Sequence, residues 1–135
     1  MIAAASVLIV VAATLSIRWR HAHLDLDRHI RSLVGPQAVD CGYVPARSDT
    51  TGADACALEQ FRSLRPFWVR YGQPGIDSRI EWVFLRAQDG RLVWLWYDSD
   101  VRGSGSALFA QPRVFERPCS GQVLQELGRE RFTCE

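Results

Sequence analysis

Residues 78–100, SRIEWVFLRAQDGRLVWLWYDSD, decide the fold. Two runs rich in Ile, Val, Leu, Phe and Trp flank Asp89-Gly90, a pair of residues that favours a tight reversal between strands. The stretch predicts a hairpin of two long strands, Ser78 to Ala87 and Arg91 to Asp98. A two-residue turn at Asp89-Gly90 sets Gln88 opposite Arg91 and Ala87 opposite Leu92. That register places Arg86, Phe84, Trp82 and Ile80 on one face with Val93, Leu95, Tyr97 and Ser99. The other face carries Ala87, Leu85 and Val83 with Leu92, Trp94 and Trp96. Both faces are apolar near the turn, unlike an antiparallel sheet with one wet side. Either both are covered within the chain, or one is a docking surface with Trp82, Trp94, Trp96 and Tyr97 as its anchors.

The same register predicts a charge ladder at the open end of the hairpin. Arg79 stands opposite Asp100, and Glu81 opposite Asp98. Facing carboxylates repel, and a forced pair of them can act as an acid–base couple or hold a cation. The alternative is a solvated ladder of ion pairs.

Upstream, Ala53, Cys56, Ala57, Phe61 and Leu64 recur at helical spacing after a capping signal at Thr51 and Asp54. They predict a helix from Gly52 to Arg65, stopped by Pro66. Phe67 to Tyr71 alternates as a strand, and Gly72, Pro74 and Gly75 make the following turn. Leu24 to Val34, with Leu26, Ile30 and Leu33 in step, predicts a short amphipathic helix or stalk ended by Gly35-Pro36. Arg47 to Gly52 reads as a polar loop and Gly103 to Ser106 as a flexible one. Arg113 to Arg117 and Glu130 to Cys134 read as shorter strands, and Gln122 to Leu127 is ambiguous.

The chain has 135 residues and four cysteines, Cys41, Cys56, Cys119 and Cys134, all downstream of an apolar run from Ile2 to Ile17. That run is at the short edge of the ~17–25 residues that span a bilayer. It lacks the basic start and small cleavage residues of a signal peptide. Residues 1–20 are therefore expected to be an uncleaved membrane anchor, 21–40 a juxtamembrane stalk or short helix, and 41–135 a disulfide-stapled domain. Cleavage and secretion are the alternative. Arginines after the run would keep that side cytoplasmic, whereas cysteines persist as disulfides on the opposite side. The cysteines decide for the periplasm. Their equal spacing prefers Cys41–Cys56 and Cys119–Cys134, each closing a modest loop, with pairings across the domain open. The expected fold class is α+β: an N-terminal transmembrane helix, then one main helix packed on an antiparallel sheet of three to five strands, with two disulfides.

Several functions are disfavoured. Net charge is +1 with scattered arginines, so no nucleic-acid partner is expected. The chain has neither lysine nor asparagine, which points to a GC-rich, bacterial coding bias. No Cys-x-x-Cys, phosphate loop or complete calcium loop is present, so neither metal nor cofactor is expected. The histidines, His21, His23 and His29, all precede the domain, which argues against histidine-dependent hydrolysis.

The segments Cys41-Gly42, Cys56-Ala57, Phe67 to Tyr71, Gly75 to Ser78 and Tyr97 to Asp100 occur in an order that resembles a set of small, uncharacterised bacterial cell-envelope proteins. The resemblance spans about Cys41 to Cys134. It implies a cell-envelope setting and carries no activity, cofactor or site. The reading as a whole is an inner-membrane protein with a periplasmic, non-catalytic interaction or binding module, contacting the membrane through its N-terminal helix and an envelope protein through its aromatic sheet. One alternative is a small enzyme or inhibitor using Glu81, Asp98 and Asp100 with Arg79 as charge partner. Another is a purely structural domain. Oligomeric state is left open.

Overall fold

The computed structural model describes residues 26–104, 110–126 and 129–134. The proposed leader lies outside them. Among the described residues no helix is long and apolar enough to cross a membrane. The fold is α+β, with a helix over 26–34 (α1) preceding strand β1, Val39–Val44. Helix α2, Thr51–Arg62, follows. Then come β2, Phe67–Gln73; β3, Ile80–Arg86; β4, Leu92–Asp98; β5, Arg113–Pro118; β6, Gly121–Glu126; and β7, Arg129–Cys134.

Strands β1 to β5 form one sheet in chain order, and β6 and β7 form a separate antiparallel pair. Three of the four ladders in the large sheet are antiparallel. The exception is β1, which runs parallel to β2, with α2 as the crossover that parallel neighbours require. The sheet is thus mixed, not purely antiparallel as expected.

The hairpin lies where Asp89-Gly90 predicts it, but its turn is longer. Ala87 N–H donates to Arg91 C=O at 2.8 Å, and Gly90 N–H to Ala87 C=O at 3.0 Å. Gly90 takes φ +87°, the left-handed conformation that a three-residue loop of this kind demands. Arg86 therefore pairs with Leu92, and Trp82 with Trp96. This is one residue away from the expected register, and such a slip exchanges every β4 side chain between faces. Val93, Leu95 and Tyr97 join Val83 and Leu85 on one face, and Trp94 and Trp96 join Trp82 and Phe84 on the other.

Each face receives its own helix. On the first, Leu26, Ile30 and Val34 of α1, spaced one turn apart, bury against Val83, Leu85, Val93, Leu95 and Tyr97. The segment expected to be a short helix or stalk is thus a helix, and it packs into the core. Gln88 N–H donates to Leu33 C=O, tying the hairpin turn to the end of α1. On the second face Ala57 of α2 packs on Phe67, Val69 and Phe84, with Ala53, Phe61, Tyr71 and Trp94 around them. Strand β7 lies against α2.

Helix α2 ends three residues before the expected Arg65. Leu64 N–H donates to Phe61 C=O and Arg65 N–H to Gln60 C=O, a Schellman closure with Leu64 at φ +57°. The Cys41–Cys56 disulfide is formed and joins β1 to α2. Cys119 is also disulfide-bonded, and no cysteine among the described residues is free.

Candidate functional site

The corrected register regroups the expected anchors, bringing Trp94 and Trp96 to the face of Trp82. Trp82, Trp94 and Trp96 share the α2 face. Tyr97 does not join them: it is 1% exposed under α1, and burial pushes its hydroxyl pKa up. In its place the ladders bring in two residues that the sequence reading had not singled out. Tyr71 pairs with Trp82, Trp82 with Trp96, and Trp96 with Phe115. Successive partners in register point to the same side of a sheet. The result is an aromatic row, Tyr71–Trp82–Trp96–Phe115, crossing four strands. Trp96 and Phe115 stack at 5.0 Å between ring centroids, and Trp94 meets Trp82 edge-on at 6.2 Å. Trp82 and Phe115 are 39% and 43% exposed.

Among the described residues, α2 covers the Tyr71 end of the row and leaves Trp82, Trp96 and Phe115 outside the cluster it packs on. Its first turn stands over Tyr71, whose hydroxyl donates to Asp54 Oδ1. Its last turn meets Arg86, which donates to Phe61 C=O. The helix spends its apolar face on Phe67, Val69 and Phe84, and its first turn meets the row at Tyr71.

At the Tyr71 end the row opens into a cleft of ≈ 320 Å³, within the ~300–1,000 Å³ typical of ligand sites. Tyr71, Trp82 and Phe84 form its aromatic wall, and Asp54, Arg47 and Gln73 are among its polar lining. Asp54 is held at both oxygens, by Tyr71 at Oδ1 and by the Thr50 hydroxyl at Oδ2, 2.6 Å away. The loop feeding α2 is shaped by Arg47, which adopts φ +64° in a turn closed by Ser48 N–H to Pro45 C=O. Gly72 lets this loop approach β2. A Cβ there would sit 2.6 Å from Tyr43 Oη and 3.0 Å from Ala46 N. Sequence reading had assigned Asp54 to capping and Arg47 to a polar loop. Phe115 was not legible there, since its strand sets it on one side with Arg113 and Arg117 and Val114 on the other with Glu116, which leaves no apolar side to read.

The acidic candidates are arranged differently from the expected ladder. Glu81 faces Tyr97, not Asp98, and Arg79 faces Ser99, not Asp100. Glu81 has no solvent exposure and lies between two guanidiniums, Arg79 on Oε1 and Arg70 at 2.8 Å on Oε2. Arg70 also reaches Asp27 of α1 at 2.8 Å. Burial works to lower the Arg70 pKa, but the hydrogen bond and charge of Glu81, with Asp27, outweigh it and raise the value. Asp98 accepts the Asp100 N–H at 2.8 Å. Asp100 in turn accepts the backbone N–H groups of Arg102, Ser104 and Gln111 and the Ser104 hydroxyl. Its pKa is held below the usual carboxylate range, chiefly by that hydroxyl. Among the described residues no group of three or more potential ligands could hold a metal ion.

Compared with known proteins, the chain matches no family model, no curated sequence and no solved structure.

Proposed function

We propose that this protein is a non-catalytic binding module of the bacterial envelope, anchored in the inner membrane by Ile2 to Ile17 with its domain in the periplasm. Its contact surface is the aromatic row of Trp82, Trp96 and Phe115, flanked by Trp94. The observation that carries this reading is the exposure of Trp82 and Phe115 at 39% and 43% on a face whose helix stops short of them. Large aromatic side chains left in water are costly, and clusters of them are favoured at the centres of interfaces. A second disulfide, Cys119–Cys134, completes the reading: Cys119 is disulfide-bonded and Cys41 and Cys56 are paired with each other. Oxidised cysteines support an exported domain.

The enzyme reading loses support from the acidic groups themselves. Glu81 is sealed between Arg70 and Arg79, away from solvent. Asp98 and Asp100 are occupied in shaping the loop after β4. A general acid or base needs access to the proton it moves.

The test is cross-linking and affinity purification of the anchored protein from membranes, beside a Trp96→Ala, Phe115→Ala variant. A partner recovered with the native protein and lost with the variant is the expected result. Recovery of nothing specific, or recovery that ignores the variant, rejects this contact surface. Thiol alkylation of the unreduced protein checks export: four protected cysteines are expected, and free thiols overturn the compartment.

A further inference from the structure

We infer that the cleft between the start of α2 and the end of β2 binds a sugar ring bearing a carboxylate. The inference rests on the binding-module reading and adds the chemical class of one ligand.

Three features of the cleft converge on that chemistry. Trp82 and Tyr71 offer an aromatic wall, against which the C–H face of a pyranose packs, since the ring face carries negative charge density. Asp54 offers a fixed acceptor. Its two oxygens each take one hydroxyl from the protein, leaving lone pairs directed by Thr50 and Tyr71. A ligand hydroxyl completes such a set. Gln73 stands on the same lining and can both donate and accept.

Arg47 supplies the anionic preference. It lines the cleft, and it has no hydrogen-bond or ion-pair partner among the described residues. It also holds φ +64°, a left-handed conformation that is costly for a non-glycine residue. Glycine is the ordinary occupant of such a turn position. A guanidinium kept there against that cost, beside an aromatic wall, is placed to take a carboxylate in a two-pronged hydrogen bond. A neutral sugar would leave Arg47 unused. A simple carboxylate would leave Trp82 and Asp54 unused.

The test is ligand-observed NMR titration of the full chain in detergent micelles with glucuronic acid, N-acetylmuramic acid, glucose and acetate. Saturable binding of at least one of the two acidic sugars is expected, with glucose and acetate weaker by about tenfold or more. Arg47→Gly keeps the backbone and removes the charge. It should raise thermal stability while cutting acidic-sugar affinity about tenfold, to the level of glucose. Asp54→Asn should weaken acidic and neutral sugars together. No saturable sugar binding, binding of acetate equal to that of the acidic sugars, or an Arg47→Gly variant with native affinity overturns the inference. A partner still captured through Trp96 and Phe115 would then leave the wider function standing.

Discussion

Arg70 Nε donates to Glu81 Oε2 at 2.8 Å, and the carboxylate it meets has no contact with solvent. Arg79 takes the other oxygen. Removing the single buried acid leaves two guanidiniums facing each other beneath α1. Truncating one member of a buried pair costs about 3–5 kcal/mol. Glu81→Gln should therefore lower the unfolding free energy by about 3 kcal/mol in urea titrations. Asp27→Asn, at the half-exposed end of the same network, should cost under about 1 kcal/mol. Equal effects from the two would mean that Glu81 does not organise the cluster.

How far the sequence revealed this arrangement depends on the range of each signal. The hairpin's position was legible because Asp89-Gly90 acts locally. Its register was not. Asp-Gly serves a two-residue turn and also a three-residue loop with the glycine left-handed, and the choice exchanges the faces of β4. That exchange moved Tyr97 away from Trp82, brought Trp94 and Trp96 to the Trp82 face instead, and parted Glu81 from Asp98. The helical period of Leu26 and Ile30 was legible too, but periodicity states that a face is apolar without stating what it meets. Strand β1 went unseen. It is short and mostly half-exposed or exposed, with a register shift between Asp40 and Tyr43 around Gly42 at φ +91°. The cleft was out of reach altogether, because Arg47, Asp54, Gln73 and Trp82 meet only through the crossover that β1 creates.

The loop after β4 should respond to acid. Asp100 is held below the usual carboxylate range by the Ser104 hydroxyl and by backbone N–H groups of Gln111, Ser104 and Arg102. A carboxyl whose folded pKa is depressed contributes stability above its unfolded value of about 3.9, and that contribution is lost as pH falls through the lower folded value. Amide exchange at Ser104 and Gln111 should therefore stay slow down to about pH 4 and accelerate below it, after correction for the intrinsic pH dependence. In Asp100→Asn the same amides should exchange faster at neutral pH and show no further acid step.

Leu64 occupies a left-handed position that glycine fills at most Schellman closures, and it is 72% exposed, so its side chain contributes little packing. Leu64→Gly should stabilise the protein by about 0.5–1 kcal/mol, the relief of backbone strain exceeding the entropy of glycine in the unfolded chain. Gly90→Ala is the mirror experiment. A Cβ at Gly90 meets nothing within 4 Å, so the φ of +87° is the whole cost. A loss of about 1 kcal/mol is expected, read as a lower thermal midpoint. A neutral result at both positions would show that these two φ values do not persist in solution.

Helix α1 belongs to the folded body. Ile30 is 2% exposed, between Leu26 and Val34 and over Val83, Leu85 and Leu95. Cutting it to alanine opens a cavity between the helix and the sheet face it covers, a change that costs about 2–5 kcal/mol. The helix is also held by polar contacts, Asp27 to Arg70 at 2.8 Å and His29 Nε2 to Glu116 Oε2 at 3.2 Å, which reach β2 and β5 on either side of the β3–β4 pair. These fix its angle more than its stability. Ile30→Ala should therefore lower the urea midpoint by the amount expected of a core residue, with loss of near-ultraviolet signal from Tyr97 packed beside it. Arg28→Ala, on the exposed side of the same helix, should change neither. If Ile30→Ala were as mild as Arg28→Ala, residues 26–34 would be a tether outside the domain.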